Sequence, residues 1–270
     1  MNVKVSILKI PNYHILSKAV MVSQVHGGHR TASRFFTSMN ASSYDTVVRI
    51  ATFGQDYLWK RHILDVIDKH HLSSPSSSPP CSDDLPARMH LDLASGTGIL
   101  SSLIERRGNH AKQRPRYVVG LDLTFDYLRT AKKKCSTGLL TNGTAEVLPY
   151  REQSFDSVTS SYLSKYVDIE RVVSECWRVL KHRGIVVFHD FTYPSNPLAR
   201  SLWNAYFKLL RSAAKTVTSW APVFQELDQV VKMSNWLGQT MQALEGTGFK
   251  NISFRFYTMR TSAIVSANKP

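Results

Sequence analysis

A chain of 270 residues with 43% hydrophobic and 20% charged positions can bury one sizeable core, or a core with an extension, and has the composition of a globular domain. Its three cysteines, Cys81, Cys135 and Cys176, lack metal-ligand spacing and read as free thiols rather than a disulfide framework, and no run of about 18 apolar residues is present to cross a bilayer. The formal charge of +14 is compatible with nucleic acid, an anionic membrane or acidic substrates, but the basic residues are dispersed and the longest cluster, Lys132-Lys133-Lys134, closes a predicted helix, so nucleic acid is not expected as a partner.

Residues 1–43 contain no Asp or Glu and mix Lys, Arg, His and Ser with an apolar set that includes Val5, Ile7, Leu8, Ile15 and Val20. That composition fits a mitochondrial transit segment. It equally fits an amphipathic segment lying on a membrane or on the core, and Pro11 argues against one long helix. Residues 1–43 are therefore read as an extension and 44–270 as the domain, cytoplasmic with a membrane-peripheral or mitochondrial location left open. From Tyr44 to about His71 the apolar positions (Val47, Val48, Ile50, Leu58, Ile63, Leu64, Ile67) recur with helical spacing. Residues 72–87, rich in Ser and Pro, read as an exposed loop.

The remaining chain alternates. Strands are expected at His90–Leu93, Tyr117–Leu121, near Thr144, and at Phe155–Ser160, Gly184–Phe191, Ile252–Thr258 and Ser262–Ala267. Helices are expected at Gly98–Arg107, Phe125–Cys135, Ile169–Leu180, Leu198–Ala214 and Met233–Thr247. Strands separated by helices of such lengths predict an α/β fold: a Rossmann-like, doubly wound, seven-stranded sheet. The last two strands have no room for a crossover helix between them. The sheet is therefore expected to be mostly parallel, with an antiparallel C-terminal hairpin strand.

The chemistry concentrates at Met89–Ile99, where a short apolar strand ends in Asp92 and a small-residue turn that opens into a helix. Such a turn lets backbone N–H groups approach a ligand at a helix N-terminus. A second acid, Asp122, ends the next apolar run and is suited to hold two ribose hydroxyls. The longer Gly-x-Gly-x-x-Gly turn of dinucleotide sites is absent, and the shorter Asp-x-x-x-Gly-x-Gly form points to S-adenosyl-L-methionine. Each residue has a plainer reading beside this one. Asp92 could cap the turn, Gly96 and Gly98 could make an ordinary tight turn, and Asp122 could cap the helix near Phe125, although Thr124 is better placed for that.

In their order and spacing, several segments carry a family likeness: Ser42-Ser-Tyr-Asp45, Leu58-Trp-Lys60, Leu91-Asp-Leu-Ala-Ser-Gly-Thr-Gly98, Gly120-Leu-Asp-Leu-Thr124, Gly143-Thr-Ala-Glu-Val-Leu-Pro-Tyr150, Ser154-Phe-Asp-Ser-Val158, Trp177-Arg-Val-Leu-Lys181 and Gly248-Phe249. From about Arg34 onward the chain resembles the class I S-adenosylmethionine-dependent methyltransferases, and within them the UbiE-type group that C-methylates quinone precursors. The resemblance implies a cofactor site of Tyr44, Asp92, Ala94, Gly96, Thr97, Gly98, Asp122, Leu123, Thr144, Ala145, Glu146 and Ser161, with no metal. It also implies a small-molecule or lipid-like acceptor, with contact to a membrane surface left open.

The chain departs from the family in two segments that face the substrate there. Phe-Gly-Leu-Arg-Asn becomes Tyr162-Leu-Ser-Lys-Tyr166, and Leu-Glu-Phe-Ser becomes His189-Asp-Phe-Thr192. The cofactor loop also keeps two glycines where the family has three, and Thr144 replaces an acid or amide. His189 and Asp190, at the carboxyl end of the fifth strand, are the expected acid–base pair, each with a core or capping role as the plainer reading. Tyr162, Tyr166, Trp203 and Tyr206 are the expected acceptor contacts. The expected activity is C-methylation of an aromatic or quinone-like acceptor. The competing readings are O- or N-methylation of another metabolite, a phospholipid or RNA, and a non-catalytic assembly subunit.

Overall fold

The computed structural model describes residues 28–73, 87–110, 116–135 and 138–270. Seven strands form one sheet: β1 Arg88–Leu93, β2 Arg116–Asp122, β3 Leu139–Asn142, β4 Phe155–Ser161, β5 Leu180–Phe191, β6 Lys250–Tyr257 and β7 Ser262–Asn268. Their order is β3-β2-β1-β4-β5-β7-β6. β1 to β5 run parallel, and β7 enters antiparallel between β5 and β6, as the missing crossover dictates. The central strands are buried on both faces and read as near-continuous apolar runs.

The helices are α1 over residues 28–35, then α2 Tyr44–Ala51, α3 Gln55–Ser73, α4 Ile99–His110, α5 Phe125–Ala131, α6 Ile169–Val179, α7 Pro197–Ala213, α8 Ala221–Met233 and α9 Trp236–Thr247. One sheet face is covered by α6 and α9 through Val172, Val173, Cys176, Trp236 and Leu244. The other is covered by α3 and α4 through Ile63, Leu64, Ile67, Leu100 and Ile104. Each such buried side chain contributes about 1.5–3 kcal/mol. Among the described residues, no helix is long and apolar enough to cross a membrane.

Three expectations change. The helical run from Tyr44 breaks at Phe53 and Gly54, both at positive φ (51° and 75°). Thr52 makes the break: its hydroxyl donates to the Val48 carbonyl (2.8 Å) and accepts from the Asp56 N–H (3.2 Å), closing α2 and opening α3. The strand near Thr144 ends at Asn142. α8 is absent from the expected helices; its Pro222 stands in the first turn, where the missing N–H costs nothing. Residues 28–43, read as part of an extension, pack against the domain. Phe35 is fully buried, and the Asn40 amide donates to the carbonyls of Phe35 (2.7 Å) and Ser219 (3.2 Å), tying residues 28–43 to the far end of the fold. The transit or amphipathic reading of the first residues, and most of the Ser/Pro loop with Cys81, lie outside the described residues. Cys135 and Cys176 are free thiols, and both are buried.

Candidate active site

β1 and β2 end side by side at the carboxyl edge of the sheet, with Leu93 opposite Leu121. Their turns therefore face the crevice where ligands of open α/β sheets bind. Asp122 organises both turns. Its Oδ2 accepts from the Gly96 N–H and its Oδ1 from the Thr124 N–H, each at 2.8 Å. The Thr124 hydroxyl also bonds this carboxylate, which retains acceptor capacity for a further hydroxyl donor. Burial raises the Asp122 pKa against the pull of these donors. Gly96 takes φ +56°, and the nearest atom to a Cβ there would be 3.8 Å away, so backbone conformation rather than crowding selects glycine. Gly98 shares the positive φ (+78°) and is crowded as well: a Cβ would lie 3.0 Å from the Ala131 Cβ and 3.1 Å from the Cys135 Sγ. It makes room for the end of α5.

A cavity of about 100 Å³ opens here, bordered by Tyr44, Ala94, Gly96, Asp122, Leu123, Thr144, Ala145, Glu146 and Ser161. Asp92, Thr97 and Gly98 do not line it, a correction to the expected set. Asp92 lies beneath the turn, accepting from the hydroxyls of Ser101 (2.6 Å) and Thr159 (3.0 Å). Burial pushes its pKa up to about 6. Thr97 donates instead to Asp45 Oδ1 at 2.5 Å, and Asp45 pairs with Lys134, so the turn, α2 and the end of α5 are clamped together. Glu146 receives the Thr144 hydroxyl and pairs with His29 Nε2 at 2.6 Å, which brings α1 over the cavity. S-adenosylmethionine fits this donor set. The Asp122 carboxylate suits the ribose hydroxyls, Gly96 leaves open backbone beside it, and the aromatic edge of the cavity suits a sulfonium cation.

A second cavity, about 340 Å³ and overwhelmingly apolar, adjoins the first. Phe36, Tyr44, Tyr162 and Tyr166 border both, forming one wall of rings between them. The far side comes from α7 and α8 (Trp203, Tyr206, Phe207, Phe224), so all four expected acceptor contacts, Tyr162, Tyr166, Trp203 and Tyr206, are brought together. Trp203 Nε1 donates to buried Asp228 at 2.6 Å, locking α7 onto α8. Tyr206 Oη donates to the Ala51 carbonyl at 2.6 Å, fastening α7 to α2. Tyr162 Oη donates to Asp56 Oδ1 at 2.7 Å while its ring stacks on Phe191, and Lys60 pairs with the same Asp56. The Tyr166 hydroxyl is buried without a partner.

His189 and Asp190 line neither cavity. The His189 ring is fully buried between Ser161 Oγ (2.7 Å from Nδ1) and Ser262 Oγ (2.9 Å from Nε2). Burial, with the charges of Lys60 and Lys165 behind it, holds its pKa well below the ordinary histidine value. An imidazole with both nitrogens engaged and a disfavoured cation is a poor base, so its geometry is that of a group positioning Ser161. Asp190 instead pairs with Lys165, which does line the larger cavity and lies over the rings of Tyr162 and Tyr166 (5.5 and 4.5 Å). Burial raises the pKa of Asp190 and lowers that of Lys165, while their mutual attraction opposes both shifts. Asp190 Oδ2 has no hydrogen-bond partner.

Sequence reasoning missed His29, Phe36, Trp59, Tyr127 and Lys165 as cavity residues. Lys165 lies within the segment already noted for departing from the family, so its side chain was within reach of that reading. His29 and Tyr127 carried no local signal, because their contacts with Glu146 and Asn40 span more than eighty residues of sequence.

The model of the ubiE/COQ5 methyltransferase family matches residues 24–269. A demethylmenaquinone methyltransferase of Streptomyces avermitilis is 28% identical over 232 residues, covering 85% of this chain and 90% of that protein. The demethylmenaquinone methyltransferase of Thermotoga maritima is 31% identical over 165 residues, covering 61% and 63%. A ubiquinone/menaquinone biosynthesis C-methyltransferase of Shewanella putrefaciens is 26% identical over 237 residues, covering 85% and 86%. Among solved structures, phosphoethanolamine N-methyltransferase 2 of Haemonchus contortus superposes with a TM-score of 0.59 at 16% identity, covering 90% of this chain and 60% of that one. A SAM-dependent methyltransferase of Aquifex aeolicus gives a TM-score of 0.54 at 12% identity, covering 87% and 100%. At these identities the structures establish the shared fold.

Proposed function

The chain belongs to the ubiE/COQ5 methyltransferase family and is an S-adenosylmethionine-dependent methyltransferase, and from that premise we propose that it methylates a ring carbon of a lipophilic, quinone-like acceptor. The observation that carries this reading is the pair of adjoining cavities: a polar one organised by Asp122, and a larger apolar one lined by Lys165, whose ion-pair partner Asp190 lies behind the wall. A head-group methyltransferase would need polar partners along its acceptor cavity, whereas this one is built mainly of aromatic and aliphatic side chains, with Lys165 as its charged member.

The cofactor supplies an electrophilic methyl group on a sulfonium. Asp122 and the Gly96 turn hold the nucleoside, and the rings of Phe36, Tyr44, Tyr162 and Tyr166 set how closely the acceptor approaches. Positioning of this kind accounts for much of the rate in such transfers. The acceptor carbon is nucleophilic when the ring hydroxyl beside it is ionised. Lys165 is placed to favour that oxyanion, Asp190 holds the Lys165 ammonium in place, and the Tyr166 hydroxyl is free to donate to the ring oxygen. With the cofactor held by Asp122 and the Gly96 turn, the ring carbon would take the methyl group and leave a neutral thioether, and the proton of that carbon would pass to water, restoring the aromatic ring. This assigns to Lys165 and Asp190 the part expected of His189 and Asp190. Such an acceptor resides in a bilayer, so supply from a membrane surface is the mode of delivery the reading implies.

The test is methyl transfer from labelled cofactor to a hydroquinone bearing a short isoprenoid chain, with the product atom assigned by NMR. Label on a ring carbon is expected. Label on oxygen or nitrogen, or no transfer to any hydroquinone by protein that binds the cofactor, overturns the proposal.

A further inference from the structure

The larger cavity has a mouth, and the residues at it are of the wrong kind for a surface in water. Phe53, Leu202 and Met259 line the cavity and are at the same time 79%, 55% and 54% exposed. They come from three separate places: the α2–α3 turn, α7 and the β6–β7 turn. Phe53 and Met259 both sit at positive φ (51° and 54°). Holding a bulky side chain there is costly, and neither residue recovers the cost through burial.

The apolar surface continues beyond the mouth. On α7, Leu198, Leu202 and Leu209 are spaced four and seven residues apart, which places them on one stripe of the helix. That stripe lies next to Tyr206, whose hydroxyl is fastened to the Ala51 carbonyl, so it borders the end of α2 where Ile50 and Phe53 project. Leu198, Leu209 and Ile50 are each about two-thirds exposed. Scattered apolar residues on a surface need no explanation, but a contiguous set around a cavity mouth marks an interaction site.

The charge around this set selects the partner. Each apolar edge has an exposed basic neighbour in sequence: Arg49 beside Ile50, Lys208 beside Leu209, and Arg260 beside Met259. From Phe191 to Gln225 the chain has no Asp or Glu while carrying Arg200, Lys208, Arg211 and Lys215. From Gly246 to Pro270 it again has no acid, and Arg260 stands at the mouth, whereas Lys250 and Lys269 lie at the far edge of the sheet. Apolar side chains ringed by cations, with acids excluded from the segments that build the surface, are complementary to the headgroup layer of an anionic bilayer. A second copy of this strongly cationic chain would meet the same cations.

We propose that the mouth of the larger cavity, framed by Phe53, Leu202 and Met259 and flanked by Ile50, Leu198 and Leu209, docks on anionic lipid, so that the cavity opens directly into the bilayer. This rests on the reading of the acceptor as lipophilic and adds the route by which it arrives. A bilayer-dissolved acceptor then enters without crossing water, and the rim side chains occupy the depth at which it lies.

The test uses the full chain with vesicles of phosphatidylcholine alone and of phosphatidylcholine mixed with phosphatidylglycerol, measured by co-sedimentation. Binding to the mixed vesicles is expected, weakening as ionic strength rises, with little binding to phosphatidylcholine alone. The triple variant Ile50→Ser, Leu198→Ser, Leu209→Ser touches no cavity residue. It is expected to bind mixed vesicles roughly tenfold or more weakly, since membrane affinity scales with buried apolar area, while retaining its cofactor affinity. It should also keep methyl transfer to a water-soluble, chain-free hydroquinone and lose transfer to a long-chain acceptor held in vesicles. Vesicle binding that is absent, or equal in parent and variant, overturns the docking surface, as does self-association in sedimentation velocity that the triple variant abolishes. Failure of transfer to the soluble hydroquinone by the parent would instead count against the acceptor reading, so the two can fail separately.

Discussion

The cofactor cavity is built mainly from turns and the acceptor cavity mainly from helix faces. At the first, backbone N–H groups of Gly96 and Thr124 converge on one carboxylate, and the residues that matter lie in two short stretches at the ends of β1 and β2. At the second, the end of α1 and faces of α2, α7 and α8 surround an apolar space lined by Lys165, whose buried ion pair with Asp190 joins the β4–α6 connection to β5. The first is held by directional bonds to a few atoms, so it tolerates little change. The second depends on volume, apolarity and a single charge, so its ligand can differ from one family member to another while the first stays the same.

The contrast is broken most severely at the ion pair. Lys165→Met leaves Asp190 buried without its partner, and loss of one member of a buried pair costs about 3–5 kcal/mol, so a large fall in melting temperature is expected by calorimetry. The double variant Lys165→Met, Asp190→Leu removes both charges and is expected to regain most of that stability without regaining turnover. A single variant that melts like the parent, or a double variant that turns over normally, would show that the acceptor end does not depend on this pair.

At the other cavity, Asp122→Ala removes an acceptor for charge-assisted hydrogen bonds. It is expected to weaken S-adenosylmethionine by about 1.5–3 kcal/mol, read by titration calorimetry, with circular dichroism unchanged. Unaltered affinity would remove Asp122 from the ribose site.

His189 lies behind both cavities and sharpens the comparison. His189→Gln should forfeit at most its contacts with Ser161 and Ser262, about 0.5–1.5 kcal/mol each. Turnover should escape the roughly 100- to 10,000-fold loss expected of a missing general base, and the low-pH limb of the pH–rate profile should persist. Disappearance of that limb would restore His189 as the base.

The smallest effect is expected at Asp92, whose pKa rises from 3.8 to about 6 through burial. A carboxyl raised in the folded state contributes stability below pH 3.8, and that contribution is lost as pH climbs through about 6. Asp92→Asn should therefore melt at or above the parent at pH 7, by about 2–4 °C if the amide keeps one of the two hydroxyl bonds and gains about 1 kcal/mol. In acid the order should close or reverse. A parent that gains stability on passing upward through pH 6 relative to the variant would contradict the burial argument.

The alternation of strands and helices and the cofactor turns were legible in the sequence because they rest on local patterns: apolar runs of strand length, Asp92 and Asp122 at their ends, and the small residues of Ala94–Gly98. Gly98 shows the limit of such reading. The motif makes it look like a ligand contact, and only the position of α5 reveals that it clears Ala131 and Cys135. His189 misled for a related reason. Its place at the carboxyl end of β5 is right for a catalytic group, but antiparallel β7 brings Ser262 against it and fills the remaining nitrogen. That pairing joins residues seventy-three apart, and no periodicity announces it. How residues 28–43 dock was not legible, because they are anchored by contacts far along the chain, through Asn40 to Ser219 and His29 to Glu146.

The ring wall between the cavities carries a thermodynamic consequence. Tyr44 meets Phe36 and Tyr127 edge-on and Trp220 at a tilt, so the partition is assembled from the ends of α1 and α8 together with α2 and α5. No ring in it can move toward one cavity without moving away from the other. Occupation of either side therefore changes the free energy of filling its neighbour, and the coupling must be equal in both directions. Acceptor affinity measured with the methylated and the demethylated cofactor would report this exchange, since the transferred methyl group and the charge that leaves with it both disappear at that wall.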